Sequence, residues 1–139
     1  MVEINSNLKK LLDIGFGKPG DWVLIEEEPY LNVLNNQVDN NILYSFVVDG
    51  CPKYIGKTTQ GLTKRMRGYQ KPGPTQSTNI KNNLLIKKTL QLGKVVELYV
   101  FPDKGLMKYG EFQVNLSAGL EDNIVLVLSP EWNSLGVST

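Results

Sequence analysis

Apolar and polar positions along the chain change period several times, and each change predicts an element. Leu8, Leu11 and Leu12 fall on one side of a short helical stretch that Asn5 or Ser6 can cap and that ends near Gly15 and Gly17. After the turn signal Lys18-Pro19-Gly20-Asp21, residues Trp22 to Ile25 have strand composition. Pro29 interrupts them, Tyr30 to Leu34 predicts a second short strand, and the Asn-rich stretch Asn35 to Asn41 reads as a connector. Residues 1–41 are expected to form an N-terminal extension, with no chemistry visible in them, and residues 42–139 the main domain.

The clearest local signal follows. Ile42 to Val48 and Pro52 to Gly56 are β-rich runs separated by Asp49-Gly50, the residue pair that accepts the positive φ angles of a type I′ hairpin turn. Tyr44 and Tyr54 have equal parity about that turn, so both rings can share one face of the hairpin. From Thr59 the period becomes helical, with Leu62, Met66 and Tyr69 on one stripe, until Pro72-Gly73-Pro74. A second helix is expected from a Thr78-Asn79 cap to about Leu92, with Ile80, Leu84, Leu85 and Thr89 toward a core and Gly93 as its stop. Lys94 to Phe101 predicts a third strand, and Glu111 to Val114 a short one. A last helix, Ala118 to Leu128, is capped by Ser117 and carries Leu120, Ile124, Val127 and Leu128 at helical spacing. The fold class expected is α/β in the α+β sense, a central, mainly antiparallel three-stranded sheet flanked by helices.

Composition narrows the chemistry. A chain of 139 residues with 41% hydrophobic content supports one core. No apolar run approaches the roughly 18 residues of a membrane span, and the first residues lack an apolar signal segment, so a soluble, intracellular (cytoplasmic) protein with no membrane partner is expected. The lone Cys51 leaves no internal disulfide and no cysteine cluster for zinc. The chain has no histidine, which excludes Ser-His-Asp and Cys-His hydrolases, His-Glu zinc sites and imidazole acid-base chemistry together. Charge is segregated behind a net value of +1: residues 53–94 hold ten Lys and Arg and no acid, while the rest holds five basic and all fourteen acidic residues. Such a stripe is the footprint of a polyanion binder.

Beside the stripe stand Tyr44, then Tyr54-Ile55-Gly56-Lys57-Thr58, then Arg65, and later Glu121 at the head of Glu-Asp-Asn-Ile-Val-Leu-Val-Leu-Ser-Pro-Glu-Trp-Asn. Two phenols, an arginine and a carboxylate are groups a metal-dependent phosphodiesterase can use in place of histidine. In this order, from about Ile42 to Asn133, they resemble the GIY-YIG nuclease superfamily, particularly its small stand-alone phage and restriction-type members. Ile42-Leu43-Tyr44 stands where the family has its first tripeptide, and Tyr54-Ile55-Gly56 is the second one unaltered. Ile42 replaces the first glycine of the family name, and one extra residue at Gln60-Gly61 reshapes the start of the helix that carries Arg65.

The resemblance implies hydrolysis of a DNA phosphodiester by an activated water with one divalent ion, Mg²⁺ or Mn²⁺, per active site. Glu121 would supply the hard oxygen ligand for that ion. Arg65 would contact the scissile phosphate bidentately and offset charge in the transition state. Tyr44 would be the general base or one step of a relay, its pKa lowered from about 10 by Lys57 and Arg65, and Tyr54 would orient the water. Gly56 allows a close backbone approach, Thr58 and Tyr69 are candidates for phosphate contact, and Asn133 would fix the final turn near the metal. Lys64, Arg67, Lys71, Lys81, Lys87 and Lys88 form the expected backbone-contact set, and the Gln76–Asn83 segment offers amides for base edges. One active centre cuts one strand, so a double-strand cut requires a homodimer or successive nicks. The alternative reading is a non-cleaving nucleic-acid-binding module on the same scaffold.

Overall fold

The computed structural model describes residues 5–33 and 41–134. In chain order the elements are α1 (Ser6–Asp13), β1 (Gly17–Ile25), β2 (Glu28–Val33), β3 (Ile42–Val48), β4 (Cys51–Thr58), α2 (Leu62–Gln70), α3 (Ser77–Gln91), β5 (Val96–Pro102), the two-residue strands β6 (Lys108–Tyr109) and β7 (Phe112–Gln113), α4 (Leu116–Leu128) and α5 (Glu131–Ser134). The expected strand end at Leu34 and the connector up to Asn40 lie outside the described residues.

The sheet is antiparallel and five-stranded, in the order β2-β1-β5-β3-β4. The expected core of β3, β4 and β5 is present. It is widened because β1 pairs with β5, and Gly20 to Trp22 face Leu98 to Val96. The segment read as an extension therefore contributes two strands, and its Trp22 and Leu31 enter the main hydrophobic cluster. Trp22 meets Phe46 edge-on, with ring centroids 5.7 Å apart.

The Asp49-Gly50 turn has the positive φ angles the sequence calls for, +47° and +82°. Tyr44 pairs with Gly56 and Phe46 with Tyr54; the register then shifts at Lys53, so that Val47 faces Pro52. Strand β3 is buried at all seven positions because both faces are covered. On one face, Tyr44, Phe46 and Tyr54 pack with Leu62, Met66 and Tyr69 of α2, Ile86 of α3 and Trp132. On the other, Leu43 and Ile55 pack with Leu11 of α1, Phe16, and Ile124 and Leu128 of α4. This two-sided alternation gives β4, an outer strand of the sheet, a different neighbourhood on each face.

Three expectations about the helices need correction. The inward face of α3 is Asn79, Asn82, Asn83 and Ile86, not the Ile80/Leu84/Thr89 stripe, and Leu84 is half exposed. Asn79 lies inside the first turn and does not cap the helix, whose N-cap residue Gln76 makes no side-chain cap bond. The cap of α4 is Asn115, which accepts from Ala118 N at 3.1 Å, while Ser117 is buried in the first turn and Val127 faces outward. In α3 partners distant in the chain, Arg65 for Asn79 and the Tyr69 carbonyl for Asn83, override local periodicity.

Candidate active site

Arg65 is the centre of the site. It projects from α2 toward β3, and three of its nitrogens are held by three different side chains: Nε donates to Tyr44 Oη at 3.0 Å, Nη1 to Asn79 Oδ1 at 2.8 Å and Nη2 to Tyr69 Oη at 2.8 Å. The Tyr44 and Tyr69 hydroxyls share a 2.6 Å hydrogen bond. Tyr69 follows Arg65 by one helical turn, and the guanidinium carbon sits 4.5 Å from its ring centroid. Asn79 is fixed in turn by donating to Gln76 Oε1 at 2.9 Å. A guanidinium has five N–H groups, so this clamp leaves two for a ligand.

Tyr44 and Tyr69 are both fully buried, which has an electrostatic consequence. Burial pushes the Tyr44 phenol well above its usual range, and the nearby Arg65 charge only partly opposes it. Tyr69 is raised in the same way, first by burial and then by the neighbouring phenols. The expectation that Lys57 and Arg65 would depress the Tyr44 pKa is thus overturned in the free protein, because removing the ring from water outweighs one partly exposed guanidinium. For Arg65 itself burial works against the charge, but the surrounding phenol oxygens outweigh it and the pKa is raised.

Tyr54 lies on the same face as Tyr44, with ring centroids 6.3 Å apart, and stacks on Phe46 at 5.6 Å. Gly56 explains how the two strands accommodate the Tyr44 ring: a Cβ at position 56 would lie 2.5 Å from Tyr44 Oη and 2.6 Å from Cζ. The close approach expected of this glycine is therefore to a side chain of the neighbouring strand.

The other half of the expected constellation is on the opposite face of β4. Lys57 alternates away from Gly56 and meets Glu121 of α4, with Nζ 3.8 Å from the carboxylate. Burial raises the Glu121 pKa, and Lys57 pulls it back only in part. Thr58 ends β4 with its Oγ1 accepting from Gln60 N at 3.1 Å, and Gly61, at φ +90°, starts α2. Asn133 of α5 grips β4 from outside. Its Nδ2 donates to Ile55 O and its Oδ1 accepts from Ile55 N, both at 2.8 Å.

The basic stripe is only partly free. Lys53 pairs with Glu131 at 2.9 Å, and Lys87 with Glu28 at 3.2 Å. Lys81 donates to Trp132 O at 2.6 Å and lies 5.7 Å from the Tyr54 ring centroid. Acids from outside residues 53–94 thus neutralise part of a run that contains none. Lys64, Arg67 and Lys71 are exposed and make no ion pair among the described residues.

Asn79 was missed as a site residue, and the Gln76–Asn83 segment does not present all its amides outward, since Asn79, Asn82 and Asn83 are buried. The spacing 79, 82, 83, 86 is the i, i+3, i+4, i+7 pattern of an inward helix face, written mostly in asparagine. Among the described residues no group of three or more His, Cys, Asp or Glu could hold a metal ion. Mg²⁺ keeps waters and substrate oxygens in its shell, so a single carboxylate such as the half-buried Glu121 fits its needs. Among the described residues no helix is long and apolar enough to cross a membrane.

No protein-family model and no curated protein sequence matches the chain. Solved structures do resemble it, two nucleases among them. One is bacteriophage T4 EndoII, in a mutant form, at 22% identity and a TM-score of 0.72, covering 91% of this chain and 98% of that one. The other is the restriction endonuclease HPY188I in complex with product DNA, at 19% identity and a TM-score of 0.52, covering 100% of this chain and 93% of that one. At these identities the likeness is one of fold, and it bears out the expected α+β class, a mainly antiparallel sheet flanked by helices.

Proposed function

We propose that the protein is a DNA endonuclease that hydrolyses phosphodiester bonds with an activated water and a divalent metal ion, Mg²⁺ or Mn²⁺. The observation that carries this reading is the Arg65 clamp. A guanidinium held at three nitrogens has lost its rotamer freedom before substrate arrives, so its two remaining N–H groups can meet the two non-bridging phosphate oxygens without further ordering. The fold shared with EndoII and with a restriction endonuclease bound to product DNA supports the same class.

Each residue has a part in this reading. Arg65 binds the scissile phosphate and offsets its developing charge. Tyr44 takes neither of its expected roles in this reading: its sealed hydroxyl meets Tyr69 and Arg65 and no solvent, so it positions the guanidinium and moves no proton. Tyr69 and Asn79 keep the guanidinium in plane. Glu121 would hold the ion, and Lys57, 43% exposed at the edge of the sheet, would leave the carboxylate for a phosphate oxygen. The ion, when bound, supplies Lewis-acid polarisation of the phosphate and a more acidic water. Arg65 and Glu121 lie on opposite faces of the sheet, so in this reading the phosphodiester would lie along the outer strand β4, between them.

The non-cleaving DNA-binding reading has two observations on its side: Lys57 already engages Glu121, and the Tyr44 phenol is held neutral by burial. The assay that separates the two uses supercoiled plasmid with Mg²⁺ or with EDTA, beside the Glu121→Gln protein. Metal-dependent nicking or linearisation that the variant lacks is the expected result. Salt-sensitive binding with no cutting of varied plasmids would overturn the nuclease and leave the binding module.

A further inference from the structure

A second groove lies between the outer strand β2 and the outward side of α2, away from Arg65. It encloses about 600 Å³ and is lined by Ile25, Glu28, Pro29, Tyr30, Gln70 and the cations Arg67 and Lys71. Its floor is fixed, because Gln70 Oε1 accepts from Leu31 N at 2.8 Å and ties the end of α2 to the edge of the sheet. Its one acid, Glu28, is already engaged by Lys87 at 3.2 Å. Tyr30 is 48% exposed and Ile25 51% exposed, so an aromatic ring and an aliphatic surface stand open beside two cations that make no ion pair among the described residues.

That combination matches one chemistry. A flat ring accepts a base by stacking, and two cations without ion pairs at the end of α2, Arg67 in its last turn and Lys71 at its C-cap, accept the phosphate attached to it. The volume is within the usual range for a small-ligand pocket and suits a single nucleotide. A base inside a duplex has both faces covered by its neighbours, so the groove selects an unstacked one. We propose that this groove holds one unpaired nucleotide of the bound DNA strand, with its base on Tyr30 and its phosphate between Arg67 and Lys71. The substrate class preferred is therefore DNA with single-stranded character, such as a gap, a fork or a frayed end. The proposal rests on the nucleic-acid reading above and adds to it a contact made by the N-terminal segment.

The test uses the full chain in EDTA, so that nothing is cut, with fluorescein-labelled single-stranded and duplex oligonucleotides read by anisotropy over a range of salt. Tyr30→Ala is expected to weaken single-strand binding by about tenfold, the usual scale for one stacked base, and to leave duplex binding within about twofold. Arg67→Gln is expected to lower the slope of log K against log salt by about 0.7, one single-strand phosphate. Thermal melting of both variants close to that of the unaltered protein is expected, since both side chains are exposed. Single-strand binding unchanged in Tyr30→Ala, or weakened equally on both DNA forms, would overturn the stacking site. A deoxynucleoside monophosphate that competes as tightly as the oligonucleotide would overturn the strand as occupant and assign a free nucleotide. Plasmid cleavage by the same preparations keeps the two readings apart: normal cutting with no Tyr30 effect removes only the groove, whereas absence of any DNA binding removes both.

Discussion

Gly56→Ala tests how tightly the site is built, because the perturbation is a single methyl group. The added Cβ would fall 2.5, 2.6 and 2.9 Å from Oη, Cζ and Cε2 of Tyr44, whereas ordinary contact begins at 3.4 Å. The ring would have to retreat by nearly an ångström. It has little room to do so, being fully buried with Phe46, Tyr69 and Tyr54 at centroid distances of 5.7, 6.1 and 6.3 Å. Overpacking of this kind costs about 1–3 kcal/mol. Retreat would also stretch the Arg65–Tyr44 hydrogen bond, whose loss is worth about 1.5–3 kcal/mol for a charged donor. The two effects share one displacement and do not simply add, so a loss of about 2–4 kcal/mol is expected, or roughly 6–15 °C in melting temperature for a domain of this size. Plasmid cleavage should fall by about a hundredfold or more as the guanidinium loses its fixed plane.

The assay is a double-mutant cycle with Tyr44→Ala, read by thermal melting. Gly56 is not among the positive-φ glycines, so its backbone accepts any residue and the predicted clash is with the ring alone. Once the ring is removed, alanine at 56 should be neutral or stabilise by up to about 1 kcal/mol, since glycine is a poor strand residue. The sign of the substitution therefore reverses between the two backgrounds. Equal cost in both would refute the steric argument, as would a Gly56→Ala protein that melts within about 2 °C of the parent and cuts normally.

Two further outcomes follow from the opposite face of β4. Lys57→Met removes the charge that pulls the Glu121 pKa down against burial, so that pKa should climb further and the acid limb of the cleavage pH profile should move to higher pH. In stability terms a raised carboxylate pKa makes the folded state the better proton binder, so stability is lost as pH rises through it, more steeply in the variant; an acid limb that stays put or moves down would remove Lys57 from the site. Asn133→Ala strips the N–H and C=O of Ile55 of their side-chain partners on an outer strand, and should cost about 1–3 kcal/mol in thermal unfolding while lowering cleavage, because Ile55 lies between Tyr54 and Gly56. Unfolding and cleavage both unchanged would show that water replaces the amide without loss.

What the sequence disclosed follows from range. The β3–β4 hairpin was legible because Asp49-Gly50 between two β-rich runs is a local signal; Tyr44 and Tyr54 share one face as expected, but through the register shift at Lys53, since the Val48–Cys51 pairing at the turn would otherwise set residues of equal parity on opposite faces. Arg65 and Tyr69 were legible together because they are one helical turn apart. The pairing of β1 with β5 was not legible, since nothing within either segment names its neighbour across some eighty residues. Asn79 was hidden by its type: an asparagine near a helix start reads as a cap, and only the presence of Arg65 from another helix makes it an interior acceptor. The protonation state of Tyr44 was hidden for a related reason. Charge near a phenol can be counted along the chain, but the loss of water around it depends on Phe46, Tyr54 and Tyr69 closing over the ring, and that loss decides the sign of the shift. The same closure gives the site its rigidity: a neutral phenol pair with no solvent to compete for it is a firmer support for Arg65 than an exposed, ionised one would be, so the features that turn Tyr44 away from base chemistry are those that, in the proposed function, would ready the guanidinium for a phosphate.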